Sequence, residues 1–157
     1  MSKTLWLLRH GDAEDRGVGP DFDRRLTDRG ERQSRAAGRA LSRLHVDFDH
    51  VYTSPRVRAL ETARLACEQL GIAPVIHEAL GGEFDERDAT ELIAATGPDG
   101  ALMLVGHEPD MSGLVHSLTG ARVAMKKGGL AQIKLGAGRG ELAVLLRPGE
   151  IELLAGD

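Results

Sequence analysis

With 157 residues, 41% apolar and 28% charged, the chain can bury one real core and has the composition of a soluble globular protein. A net charge of −4 without any Lys/Arg block argues against a nucleic-acid footprint or a polybasic membrane patch, and an aromatic content of 3% argues against the stacking platforms that single-stranded nucleic acids use. One cysteine, Cys67, excludes an intrachain disulfide, and no segment approaches the ~20 apolar residues that span a bilayer.

Thr4 to Leu8 is a short apolar run, as expected of a buried parallel strand. It is too short for a signal-peptide core and is closed by Arg9, so cytoplasm is the expected location. Gly11 to Arg25 is polar and reads as a loop over the strand end. Thr27 can cap a helix running to about Leu44, with Ala37, Ala40, Leu41 and Leu44 inward and weakened by Gly30 and Gly38.

Phe48 to Thr53 reads as a second strand. Ser54 then caps a helix with Pro55 in its first turn and Leu60, Ala63, Cys67 and Leu70 inward, ended by Gly71. Cys67 on that apolar stripe reads as a small buried hydrophobe. Pro74 to Ile76 is a short strand, His77 to Asp85 a loop, and Arg87 to Thr96 a modest helix. Ala101 to Val105 is another buried strand. Pro109 opens a helix with Met111, Leu114, Val115 and Leu118 inward, ended by Gly120. Gly129 to Leu135 and Glu141 to Leu146 read as strands joined by a turn at Gly136 to Gly140, and Ile151 to Leu154 as a candidate last strand.

Alternating strands and helices predict an α/β fold: three layers, a mostly parallel central sheet with helices on both faces, and a C-terminal antiparallel hairpin. One domain over residues 1–157 is expected, and a monomer.

Three strand exits carry the chemistry. Ligands of open α/β sheets bind beyond the carboxyl ends of the strands, so residues just past three strands can converge at one rim. Arg9-His10-Gly11 offers a neutral imidazole, a good nucleophile toward phosphorus, beside a guanidinium that disfavours imidazolium. Gly11 lets the backbone turn sharply there. Ser54-Pro55-Arg56-Val57-Arg58-Ala59 offers arginines whose forks match phosphate oxygens. Two apart on a helix, Arg56 and Arg58 would stand about 200° apart and could not both face one pocket. The competing reading is a solvated arginine paired with Glu61. Gly106-His107-Glu108-Pro109 places a second histidine where it can donate to a phosphoryl oxygen; otherwise it caps or packs.

A zinc reading of His10, His107 and His116 lacks any ligand spacing that zinc sites use. His116 falls within a helix, and His45, His50 and His77 lie at element ends and read as surface.

The joint pattern, Arg-His-Gly, then Ser-Pro-x-x-Arg-Ala-x-x-Thr-Ala, then Gly-His, with Leu26-Thr27-x-x-Gly30-x-x-Gln33 between, resembles the histidine phosphatase superfamily (phosphoglycerate-mutase-like). The short chain resembles its compact SixA-like phosphohistidine phosphatase branch. That resemblance implies a phosphorylated nucleophile at His10, and a phosphate pocket of Arg9, Gly11, Arg58 and His107. Arg56 would point away, and no cofactor or metal would be needed. Larger members carry a carboxylic general acid after the second helix. Here Glu78 and Glu83 are the candidates, with Asp85, Glu86, Asp12 and Glu14 reading as solvated.

Little chain is left for a lid, so an open rim is expected. It would receive phosphohistidine on a phosphorelay protein, whose imidazole leaving group needs little acid assistance. The rival readings are a broad phosphatase of small phosphate esters and a module that binds phosphate without turnover.

Overall fold

The computed structural model describes residues 3–17 and 19–156. The strands are β1 (Lys3–Arg9), β2 (His50–Thr53), β3 (Val75–Ile76), β4 (Ala101–Gly106), β5 (Leu130–Leu135) and β6 (Glu141–Leu146). The helices are α1 (Asp28–Arg43), α2 (Val57–Glu68), α3 (Glu86–Ala94), α4 (Asp110–Thr119) and α5 (Pro148–Ala155). Short 3₁₀ turns occupy Asp21–Asp23 and Glu78–Gly81. Among the described residues, no helix is long and apolar enough to cross a membrane.

The sheet runs β3-β2-β4-β1-β5-β6. The pairings β2–β3, β2–β4 and β1–β4 are parallel, whereas β1–β5 and β5–β6 are antiparallel. The expected three-layer sheet and closing hairpin are therefore present. Successive strand residues face opposite sides. Trp6 and Leu8 of β1 and Met103 and Val105 of β4 pack against α1, α2 and α5. Leu5, Leu7, Leu102 and Leu104 instead join Ala89 of α3 and Met111, Leu114 and Val115 of α4 on the other face. Both central strands are buried on both sides, which is why they read as unbroken apolar runs. Each fully buried leucine there contributes roughly 1.5–3 kcal/mol.

Several expectations change. Ile151 to Leu154 is helical, because a four-residue apolar run cannot distinguish strand from helix without its flanks. Those flanks start a helix: Pro148 is its first residue, and Glu150 Oε1 accepts from the Arg147 backbone N–H at 2.9 Å. Ile151 and Ala155, one turn apart, then bury against α1.

The second helix begins later than Ser54-Pro55 suggests. Arg56 is its N-cap, with extended backbone, and Val57 its first helical residue. Gly30 and Gly38 allow close backbone contact. A Cβ on Gly30 would lie 2.0 Å from the Asp12 carbonyl oxygen, and one on Gly38 2.4 Å from that of Ala66. The stretch from His77 to Asp85 is more than a loop: its 3₁₀ turn buries Leu80, and Phe84 follows into the same core.

Candidate active site

Parallel register puts three strand exits side by side. Arg9 of β1 lies opposite Gly106 of β4, and Val105 opposite Thr53 of β2. Backbone bonds extend this alignment past the strand ends. His10 N–H donates to Gly106 O at 3.1 Å and Ser54 N–H to Val105 O at 3.0 Å. From the other side of β1, Gly128 N–H donates to His10 O at 2.8 Å. Its φ of 77° makes glycine the suitable residue there.

His10 and His107 face each other with ring centroids 5.1 Å apart. His10 is 5% exposed, and its Nδ1 lies 2.7 Å from Gly11 O. A carbonyl only accepts, so Nδ1 carries the proton and the lone pair belongs to Nε2. Burial pushes the imidazole down to about 4; the Gly11 carbonyl opposes this, and Arg58, Arg9 and Lys127 add to it. Desolvation, more than the flanking guanidinium, therefore keeps His10 neutral.

Gly11 has a different role from the sharp turn expected of it. Its φ is not positive, but a Cβ there would lie 2.6 Å from Gly30 O. The chain after His10 thus rests directly on the first turn of α1. Asp12 N–H donates to Gln33 Oε1 at 2.9 Å, and Thr27 Oγ1, which caps α1 by accepting from Gly30 N–H, lies 2.8 Å from Asp12 Oδ2. Gly11 N–H donates to Thr62 Oγ1 at 3.1 Å, and that hydroxyl donates to Arg58 O at 2.8 Å. Thr62 therefore ties the nucleophile segment to the arginine turn of α2.

Arg58 is 6% exposed and His107 9%. Arg58 directs Nη1 to Asp21 O at 2.9 Å and Nη2 to Asp21 Oδ2 at 3.3 Å. Arg9 Nη1 donates to Met125 O at 2.9 Å. Burial, then the charges of His10, Arg58 and Arg56, push His107 down to about 3, with Asp21 opposing. Three buried N–H or ring nitrogen sites at these residues have no protein partner: Arg9 Nε, Arg58 Nε and His107 Nδ1. Buried polar groups are normally satisfied, and Trp6 Nε1, Arg39 Nε, Glu61 Oε1 and His77 Nδ1 also lack a hydrogen-bond partner elsewhere among the described residues.

The structure thus gathers Arg9, His10, Gly11, Arg58 and His107. Arg56 does not point away as the helical spacing implied. Because it precedes the helix, its Nη1 reaches Asp21 Oδ2 at 2.9 Å while its Nε donates to Gly81 O at 2.7 Å. Glu61 pairs with Arg25, at 3.7 Å, rather than with either of these arginines. Glu78 and Glu83 lie exposed on the segment that Gly81 anchors to Arg56, and Glu83 has a φ of 61°. Asp12 and Glu14 are engaged rather than merely solvated: Glu14 Oε1 accepts from Arg25 N–H at 2.8 Å.

Two residues escaped sequence reading. Asp21 gathers Arg24, Arg56 and Arg58 around one carboxylate, and nothing in a polar loop marks it. Ser54, read as a helix cap, touches His107: its Oγ is 2.7 Å from His107 Nε2 and accepts from Arg56 N–H at 3.1 Å. Its place in the Ser-Pro-x-x-Arg pattern was the available signal. His77 is half-buried and packs edge-on against Tyr52 and Phe84, so it is not a plain surface residue. Cys67 is buried as expected, its thiol pushed up to about 11.

Fold and site together define a three-layer α/β protein with two neutral histidines, a half-buried arginine and a buried one gathered beyond the strand ends. Residues 5–89 match the histidine phosphatase superfamily (branch 1). An uncharacterized protein of Picosynechococcus sp. is 34% identical over 143 residues, covering 86% of this chain and 87% of that one. The chain belongs to the histidine phosphatase superfamily. A 2,3-bisphosphoglycerate-dependent phosphoglycerate mutase of Methylobacterium radiotolerans is 37% identical over 97 residues, 59% of this chain and 46% of the mutase. In fold, the chain is similar to the protein histidine phosphatase SixA complexed with tungstate, with a TM-score of 0.81 over 95% of this chain and 99% of that one at 23% identity.

Proposed function

We propose that the protein is a phosphatase working through a phosphohistidine on His10, and that its substrate is phosphohistidine presented on a signalling or phosphorelay protein. The observation that carries the reading is His10 Nε2: a neutral, buried lone pair whose neighbours hold three unpaired nitrogen sites. In the first step Nε2 attacks phosphorus, the substrate's P–N bond breaks with its electron pair passing to the leaving imidazole, and that nitrogen takes its proton from solvent water. Arg9, Arg58 and His107 hold the oxygens as charge develops on them. In the second step water attacks phosphorus, the P–Nε2 bond breaks, and inorganic phosphate departs with His10 regenerated.

The substrate class rests on how the chain between α2 and β4 is used. Leu80, Phe84 and Ala89 of that stretch are buried in the core, so its apolar residues support the sheet rather than enclose the site. An open rim suits a phosphate carried on a protein. Phosphohistidine also demands little of a general acid, and Glu78 and Glu83, the proposed candidates, stand exposed. The full-length likeness in fold to SixA supports the same reading, whereas the mutase match is confined to a shared portion.

The test is intact-protein mass spectrometry after rapid mixing with a phosphohistidine protein, quenched under alkaline conditions. A transient gain of one phosphoryl group, absent in His10→Ala, is expected. A small phosphate monoester turned over much faster than the phosphoprotein would replace the substrate reading. Phosphate binding with no adduct and no release would leave a binding module.

A further inference from the structure

Around the Arg9 side of the site, a cleft of about 380 Å³ opens between the N-terminal half of α1, the turn leading into β5 and the start of α5. Its lining includes Arg9, Arg29, Lys126 and Lys127, with Asp12 as its one carboxylate. Four cations thus gather in one place on a chain whose net charge is −4. Asp12 offsets one of them: its Oδ1 pairs with Lys127 Nζ at 3.9 Å, while its Oδ2 accepts from the Thr27 hydroxyl at 2.8 Å. Arg29 and Lys126 are exposed and join no ion pair among the described residues.

Arg29 is also placed against local preference. It is the second residue of α1, where the helix dipole favours acidic side chains, and its neighbour Asp28 follows that rule. A residue that breaks a local rule without a structural partner points to use elsewhere. Arg9 belongs both to this cleft and to the phosphate cradle, so the patch is continuous with the reacting histidine.

We infer that the Arg29–Lys126–Lys127 cleft is the docking surface for the acidic flank of a phosphorylated protein, orienting its phosphohistidine toward His10. This rests on the phosphohistidine reading above. Solvated cations on an open rim suit a broad acidic surface, because flexible exposed side chains steer and register a partner more than they grip a small anion.

The test compares two phosphoryl donors, a phosphohistidine phosphotransfer domain with an acidic face around its histidine and free phosphoramidate, on wild type, Arg29→Glu, Lys126→Glu and the pair. Lys127 and Arg9 are left intact because both act on His10. In the pair, kcat/KM for the phosphoprotein should fall at least roughly ten-fold and lose most of its salt dependence. Phosphoramidate turnover should stay within about two-fold of wild type. Arg29→Glu follows the helix dipole, so its thermal midpoint should not fall and lost docking cannot be mistaken for unfolding.

Unchanged phosphoprotein turnover in the pair, with an active wild type, would overturn the docking surface alone. An equal fall with both donors would make the cleft part of the phosphoryl site and overturn it too. A wild type that consumes phosphoramidate but no phosphoprotein would overturn the substrate reading, and the docking surface with it.

Discussion

Ser54 Oγ sits 2.7 Å from His107 Nε2 while accepting the Arg56 backbone N–H at 3.1 Å. One arrangement satisfies more of these groups than the other. If the serine hydroxyl donates to Nε2, His107 carries its proton on Nδ1 and offers it to a phosphoryl oxygen. The reverse would leave the serine proton unused and turn the Nδ1 lone pair toward an anion.

Ser54→Ala should therefore lower kcat/KM by roughly ten- to a hundred-fold, with a stability loss of about 1–3 kcal/mol for the buried imidazole nitrogen left unpaired. Ser54→Thr, which keeps the hydroxyl, should recover most of the activity. Equal activity in Ser54→Ala and wild type would show that this bond does not set the donor.

The two histidines make stability depend on pH. Their values in the fold, about 4 for His10 and about 3 for His107, lie below the ordinary 6.5, so the unfolded chain takes up their protons first. The stability from burying them neutral is complete above about pH 6.5 and is lost as pH falls toward those folded values. Denaturant midpoints should drop between about pH 7 and pH 4.5, and less steeply in His107→Asn. Parallel curves for the two proteins would contradict neutral burial.

Asp21 holds the arginine fork of Arg58 from the side that Arg58 Nε does not use. Its carboxylate also offsets positive charge that a phosphate dianion would otherwise meet. Asp21→Asn should bind inorganic phosphate several-fold more tightly in calorimetry, while kcat falls because Arg24, Arg56 and Arg58 lose their common anchor. Weaker phosphate binding would mean that order at Arg58 outweighs charge.

Two helical glycines should respond oppositely to alanine. At Gly30 a Cβ would lie 2.0 Å from Asp12 O, whereas at Gly113 of α4 it meets nothing within 4 Å. Gly113→Ala should stabilise by about 0.4–1 kcal/mol. Gly30→Ala should cost roughly 2 kcal/mol or more despite its better helix propensity, and should impair turnover by displacing Gly11 and His10. Thermal midpoints and phosphoramidate turnover of the two variants decide it.

The strand exits were legible because parallel strands buried on both faces leave plain apolar runs, and the polar residues just past each run stand out. His10, Arg58 and His107 could be found that way. Asp21 could not: its partners Arg56 and Arg58 lie 35 and 37 residues away, with no periodicity linking them. Arg56 was misplaced because a helical angle was applied before the helix begins. Gly30 and Gly38 looked like propensity costs because only the packed structure shows which carbonyls approach them.

Level strand ends have a further consequence. The pairings Arg9–Gly106 and Val105–Thr53 set the height of the candidate site, and they are locked inside the sheet. One residue inserted in β4 would turn His107 to the opposite face, since side chains alternate with period two. Residues inserted in the loops farther out would leave that height untouched. On the proposed reading, chemistry and recognition are thereby inherited separately: the rim can be lengthened or recharged while the histidines beneath it keep their places.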